Sequence, residues 1–407
     1  MSIENVETLL HVIRRVGLLT APQIEQVTQE LVPLYDDPLA LGQYLVEIDW
    51  LTSFQLHLLF EGHWNELRVG PYFVMDRLGE GGVSEVFKAW DTERGRLVAL
   101  KVLRQHLASQ SDAVRQFKQE LQAVTRLKHP NVINTFDADQ IGSLHYFAME
   151  FVEGTDLDRY VRRHGSLEVE EACDYVRQVS QGLQHAHQSG LVHRDIKPAN
   201  LFLINPPLDM NPLAAAAGPS GRRGPDPVVK ILDWGLARLQ PQPGEHPDTT
   251  NVDLDAEKGE LIGTADYIAP EQSQDASLVD IRADIYSLGC TFYFLLTGQP
   301  VFPGNSLMQK ILQHQQSPPP PVRQLRPEVP EEIDNLILKM LAKRPEDRIQ
   351  IPLLVAVPLR RFIPGASGSC LGLRPIGAGA NGSALKPASR TNIPSLSNLN
   401  PGDGRGR

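Results

Sequence analysis

Cysteine is scarce in this 407-residue chain, long apolar runs are missing, and positive charge is in deficit. Its three cysteines, Cys173, Cys290 and Cys370, lie far apart and follow no metal-ligand spacing. That argues against a disulfide framework and for buried free thiols in a reducing compartment. No stretch of about twenty apolar residues occurs, so no membrane span is expected. The nearest candidate, Ile351 to Val357, is too short and is punctuated by Pro352 and Pro358. Lys and Arg number 39 against 49 Asp and Glu, leaving a net charge of −10, which argues against a nucleic-acid partner. The amino terminus is acidic and amphipathic, so no secretory leader is read there and a cytoplasmic location is expected. Residues 1–70 hold ten acids against Arg14, Arg15 and Arg68, while residues 365–407 hold five basic residues against Asp403. The two ends either attract one another or are separately solvated surfaces.

What is present divides the chain into regions. Residues 1–66 read as a small all-α module, with Leu9, Leu10, Ile13 and Val16 at helical spacing. Thr20-Ala-Pro-Gln23 has the form of a capping box with proline early in the first turn, and Thr52-Ser-Phe-Gln55 repeats it, each after a leucine. Leu-Thr-x-x-Gln at 19–23 and 51–55 suggests a helical pseudo-repeat, although shared capping chemistry alone gives the same pattern. Such a module is expected to dock on something the sequence does not name. From Val69-Gly-Pro-Tyr onward the pattern turns to strands, at Phe73–Leu78, Ser84–Trp90 and Leu97–Leu103. Beyond about Phe117 helical periods dominate. A small sheet-rich lobe before a larger helical one is an α+β arrangement with a cleft between the two. Residues 205–227, between β-like segments Leu201–Ile204 and Val228–Leu232, read as a disordered insertion, and residues 365–407 as a disordered Gly-, Ser- and Pro-rich tail.

The chemistry concentrates at His193-Arg-Asp-Ile-Lys-Pro-Ala-Asn200. Within one short loop Asp195 can accept a proton, Lys197 can neutralise a phosphoryl oxygen, and Asn200 can hold a divalent metal by its carbonyl. Gly79-Glu-Gly81-Gly82-Val-Ser84-Glu-Val86 lies between two strands, where glycines let backbone amides approach phosphates, a use shared with ordinary tight hairpins. Lys101 follows Ala99 on the next strand, and Glu120 lies nineteen residues on in a helical stretch, an order that suits an ion pair reaching phosphate oxygens. Asp233 stands at a strand end before Trp234 and Gly235, where a carboxylate suits magnesium. Gly263-Thr-Ala-Asp-Tyr-Ile-Ala-Pro-Glu271 and Asp284-Ile-Tyr-Ser-Leu-Gly289 come next.

Taken in order, these motifs resemble those of the eukaryotic-type serine/threonine protein kinases found in bacteria, over about residues 70–350, with the kinase domain expected at 70–362. The resemblance implies a bilobal kinase fold after the helical module, and transfer of the γ-phosphoryl group of ATP to serine or threonine of protein substrates, with Mg2+ or Mn2+. It implies a phosphate-covering loop at Leu78, Gly79, Glu80, Gly81, Gly82 and Ser84, with Val86 and Ala99 above the adenine and Phe202 below. Lys101 would bind phosphates, held by Glu120. Met149 would be the gatekeeper, with backbone groups of Glu150 and Val152 facing adenine. Asp195 would orient and deprotonate the substrate hydroxyl, Lys197 would stabilise the transferred group, and Asn200 and Asp233 would hold metal. Thr264, with Lys197, marks hydroxyl specificity, while Glu271, Arg348 and Asp284 would be scaffold. Arg194 would bind a phosphate on Thr249 or Thr250, turning the enzyme on.

Three departures from the family pattern are visible. Ser84 replaces a third glycine, and Trp234 replaces the usual phenylalanine and must fit under the helix carrying Glu120. Pro358 is expected to break the last helix. A scaffold that has lost catalysis is the main alternative, but every catalytic position here is filled. A small-molecule kinase would ordinarily lack the segment ending at Glu271.

Overall fold

The computed structural model describes residues 3–81, 84–103, 127–142, 144–206, 226–234, 238–239, 265–274, 279–304 and 306–363, together with Val114, Lys118 and Thr125. All of them belong to one compact unit, Met1–Ser367; the second unit, Gly368–Arg407, lies outside the described residues.

The apolar spacing of the first residues makes α1 (Val6–Val16), capped by Asn5 through its side chain, with Leu9, Leu10, Ile13 and Val16 all buried. It stops at Gly17, whose left-handed backbone (φ 81°) closes the helix by donating to the Ile13 carbonyl. Then come α2 (Ala21–Gln26), α3 (Pro38–Glu47) and α4 (Ser53–Phe60). Both anticipated capping boxes form, at Thr20/Gln23 and at Thr52/Gln55. The repeat is longer than the sequence pattern indicated. Asp49, three residues before Thr52, is left-handed (φ 57°) just as Gly17 is three residues before Thr20. Leu19 and Leu51, between these landmarks, are buried in one shared core with Leu41, Leu45 and Leu59. Each turn therefore consists of a left-handed residue, a buried leucine and a capping pair.

The strand patterns then form an antiparallel sheet of six strands in the order β1-β2-β3-β4-β6-β5. Its strands are β1 (Arg68–Val69), β2 (Tyr72–Glu80), β3 (Ser84–Asp91), β4 (Arg96–Leu103), β5 (Thr135–Ile141) and β6 (Leu144–Glu150). Residues 151–153 lead without regular structure into β7 (Gly154–Asp156) and α5 (Leu157–His164). The second lobe is built on α6 (Val169–Gln188), with half its residues buried, and α7 (Ile281–Thr297), buried along most of its length. Around these pack α8 (Leu307–Gln316), α9 (Glu331–Met340) and α10 (Leu353–Leu359). Short strands β8 (Leu191–Val192), β9 (Leu201–Ile204), β10 (Val228–Ile231) and β11 (Arg238–Leu239) lie between them. β9 and β10 pair antiparallel, Ile204 opposite Val228, so the sequence between them leaves and re-enters one hairpin.

Pro358 does not break the last helix. It sits in the final turn of α10, where it removes only the amide that would bond the Leu354 carbonyl, and the chain tightens into a 3-10 turn at Arg360–Phe362.

Candidate active site

Loop 193–200 is held from behind by Asp284, in the first turn of α7. Its Oδ2 accepts from the His193 amide and its Oδ1 from the Arg194 amide, each at 2.7 Å. Arg194 can offer its amide this way because its backbone is left-handed (φ 71°). His193 Nδ1 accepts the Asp195 amide at 3.2 Å, so its Nε2–H is the donor to the Leu232 carbonyl at 2.9 Å. Sequence reasoning assigns this histidine no role; it ties the loop to the strand end that carries Asp233.

Inside the loop three side chains converge. Lys197 Nζ lies 3.0 Å from Asp195 Oδ2, and Asn200 Nδ2 donates to Asp195 Oδ2 at 2.9 Å and to the Asp195 carbonyl at 2.8 Å. With both amide hydrogens turned inward, Asn200 presents Oδ1 outward. The Asn200 carbonyl accepts from the Leu232 amide (2.9 Å), which brings Asn200 beside Asp233. Asp233, also left-handed (φ 56°), receives Lys101 Nζ on Oδ1 at 2.7 Å. That cation, above all, holds the Asp233 carboxyl below the usual carboxylate range. Two oxygen ligands, one amide and one carboxylate, suit a hard divalent cation that takes its remaining ligands from phosphate and water.

Sheet register gathers the rest. Lys101 is opposite Val86 on one side and Phe147 on the other, and Ala99 is opposite Met149. With a two-residue period these pairings place Val86, Ala99, Lys101 and Met149 on one face of the sheet. Gly79 pairs with Val86, and Gly81 donates its amide to the Ser84 carbonyl at 2.9 Å. Among the described residues, a Cβ at Gly79 would meet nothing within 4 Å, and one at Gly81 only the Ser84 carbonyl oxygen at 3.6 Å. Neither residue has positive φ. Neither packing among the described residues nor backbone conformation therefore demands glycine there, and both positions leave room for close approach to the backbone from outside the turn. Leu78 and Glu80 are exposed on the same strand, and Ser84 is buried at the start of β3. The Glu150 side chain accepts from Lys230 Nζ (2.7 Å) and the Asn134 amide (2.8 Å), so it is turned from the cleft and only its backbone can serve a ring. Val152 lies in the irregular link, and Phe202 lies on β9 opposite Asp156 of β7.

Trp234 is fully buried in the core of the second lobe, its ring 4.5 Å from that of His193. Its Nε1–H has no hydrogen-bond partner among the described residues. Glu120, Gly82, Thr249, Thr250 and Thr264 lie outside the described residues, as does most of the stretch around Glu120.

Below the loop, Arg348 grips Glu271 through both oxygens, at 2.6 and 2.8 Å. Gln272 Nε2 donates to the Arg194 carbonyl at 2.8 Å, and Lys310 of α8 reaches Asp266 at 2.6 Å. Sequence reasoning missed both of these contacts. No local pattern marks them, because each joins residues far apart along the chain.

The arrangement has counterparts. The protein kinase domain family matches residues 72–359. The serine/threonine-protein kinase Pkn1 of Myxococcus xanthus is 36% identical over 282 residues, covering 69% of this chain and 37% of that one. PknB of Mycobacterium leprae is 36% identical over 283 residues, covering 69% of this chain and 41% of that one. The chain thus spans well under half the length of these relatives. Among solved structures, the Mycobacterium tuberculosis PknI kinase domain superposes with a TM-score of 0.51 at 26% identity, over 72% of this chain and 97% of that one.

Proposed function

Since the chain belongs to the protein kinase domain family, we propose that it is a serine/threonine protein kinase. It would move the γ-phosphoryl group of ATP to hydroxyl groups of protein substrates, using magnesium. The observation that carries this reading is the convergence of Lys197 and Asn200 on Asp195, with Lys101 on Asp233 at the adjoining strand end. In that geometry Asp195 is the group to orient a substrate hydroxyl and take its proton. Lys197 is near enough to neutralise the transferred phosphoryl group, and Lys101 to bind the remaining phosphates. Asn200 Oδ1 and Asp233 are the residues to hold the cation, which when bound supplies charge neutralisation at the phosphates. Val86, Ala99, Met149 and the backbone of Glu150 and Val152 form the proposed adenine site, with Phe202 below. Glu120 is the proposed partner of Lys101, Thr264 of the catalytic loop. Thr249 or Thr250 is the proposed phosphosite read by Arg194.

The proposed setting is the cytoplasm. Cys173 and Cys290 are free and buried, and burial raises both thiols, Cys173 to about 12. Among the described residues no helix is long and apolar enough to cross a membrane.

Incubation with labelled ATP, magnesium and a generic protein substrate tests the reading. Phosphoserine or phosphothreonine is expected, with autophosphorylation, and both should vanish in Lys101→Met and Asp195→Asn. Transfer that persists unchanged in Asp195→Asn overturns it.

A further inference from the structure

Strand β2 reaches the glycine turn by way of a fault. β1 covers its outer edge only at Tyr72 and Phe73. Just beyond, the register with β3 slips: Val74 pairs with Ala89 and Asp76 with Lys88, leaving Met75 without an opposite residue. A bulge of this kind bends a strand, re-aims the residues beyond it and takes carbonyls out of the ladder. Here the module supplies the missing donors. Gln55 Nε2 donates to the Val74 carbonyl at 2.8 Å, and Thr52 Oγ1 to the Met75 carbonyl at 2.5 Å. Gln55 is only 7% exposed, so its bond is made away from water. The same two side chains cap α4, with Gln55 Oε1 accepting from the Thr52 amide at 3.0 Å and Thr52 Oγ1 accepting from the Gln55 amide at 3.1 Å. Apolar contact reinforces the joint. Phe73 of β2 packs against the module core, and Phe54 of α4 against the core of the sheet, its ring 6.3 Å from Phe87. Four residues past Met75 stands Gly79, at a second slip of register.

We propose that the helical module is a fixed brace of the turn covering the nucleotide, and that Thr52 and Gln55 are positioning residues for ATP, acting through β2. The inference rests on the proposed kinase activity. The module carries its own control. Thr20 and Gln23 make the corresponding cap of α2, with Gln23 Oε1 accepting from the Thr20 amide at 2.9 Å and from its hydroxyl at 2.7 Å. That cap makes no hydrogen bond to a strand among the described residues. Loss of a helix cap and loss of the brace can thus be measured separately.

The test uses the full chain with Gln55→Met and Thr52→Val, which keep side-chain volume, beside Gln23→Met and Thr20→Val. Steady-state kinetics and hydrogen exchange over residues 74–81 are the readouts. Gln55→Met is expected to raise KM for ATP by roughly fivefold to tenfold, with kcat within about twofold, the signature of lost nucleotide binding. Exchange over 74–81 should quicken, and both Gln23→Met and Thr20→Val should match the wild type in both measurements. Thr52→Val repeats the test if Gln55→Met fails to fold. An unchanged KM for ATP with unchanged exchange, or an equal effect from Gln23→Met, overturns the brace. If the unaltered protein transfers no phosphate, the kinase reading falls by itself. The brace is then decided by exchange alone: faster exchange in Gln55→Met upholds it and unchanged exchange overturns it.

Discussion

Asp284 and His314 show how much rests on single buried polar side chains. Asp284 is wholly buried and its two oxygens serve the amides of His193 and Arg194. Asp284→Asn keeps the shape but turns an NH2 group against a backbone N–H, leaving one buried donor unmatched, at a cost of about 1–3 kcal/mol. Because those amides position Asp195, kcat is expected to fall at least about tenfold while KM for ATP changes little, as steady-state kinetics would show. His314 tests a different force. It is buried between Tyr286, whose hydroxyl is 2.9 Å from Nδ1, and Phe302, with Lys343 donating to its carbonyl at 2.8 Å. Burial first, and then the Lys343 charge, push its pKa down to about 3. The unfolded chain takes up this proton below about pH 6.5 and the folded chain not until about pH 3, so stability is full above 6.5 and drains as pH falls. Thermal melts from pH 7 to 4 should therefore fall more steeply for the wild type than for His314→Gln. Parallel slopes would remove His314 from the account.

Among the elements, the firmest joint is Arg348. Its guanidinium has five N–H donors and all five are used. Nε serves the Ala342 carbonyl, Nη1 serves Glu271 and the Arg282 carbonyl, and Nη2 serves Glu271 and the Lys343 carbonyl. One side chain thus fastens the turn at Pro270–Ser273 to the start of α7 and to the end of α9. Removing one partner of a buried pair costs about 3–5 kcal/mol. Lysine has three donors and no plane, so Arg348→Lys should not rescue; Arg348→Ala and Arg348→Lys are both expected to melt roughly 6–15 °C lower by calorimetry. The pair itself was legible in the sequence as part of the family resemblance, but its three carbonyl partners were not. The difference is one of range. The loop proposed as catalytic is eight consecutive residues, and a capping box is a three-residue relation, so both are written locally. A glutamine that caps α4 looks no different in sequence when it also bonds Val74, nineteen residues on. Lys310, bound to Asp266 across the fold, likewise has no local signature. Pro358 misled for the opposite reason. The local rule is sound, but in a last turn a missing amide disrupts little.

At the scale of the whole molecule, the module and the sheet lobe each lend an aromatic ring to the other's core: Phe73 of β2 to the helices, Phe54 of α4 to the strands. Interleaved cores of this kind melt together, because neither closes without the other. Cutting away residues 1–66 would bare Phe73 and Phe87 and strip the donors from the Val74 and Met75 carbonyls. Those carbonyls would then turn to water, so most of the loss is apolar area, about 1.5–3 kcal/mol for each large side chain re-exposed. The full chain is therefore expected to unfold its module and sheet lobe in one calorimetric transition. A fragment beginning at residue 67 should melt at least about 5 °C lower and exchange its β2 amides faster. Two separate transitions in the full chain, with the fragment melting at the same temperature as the later one, would show the module to be an independent domain.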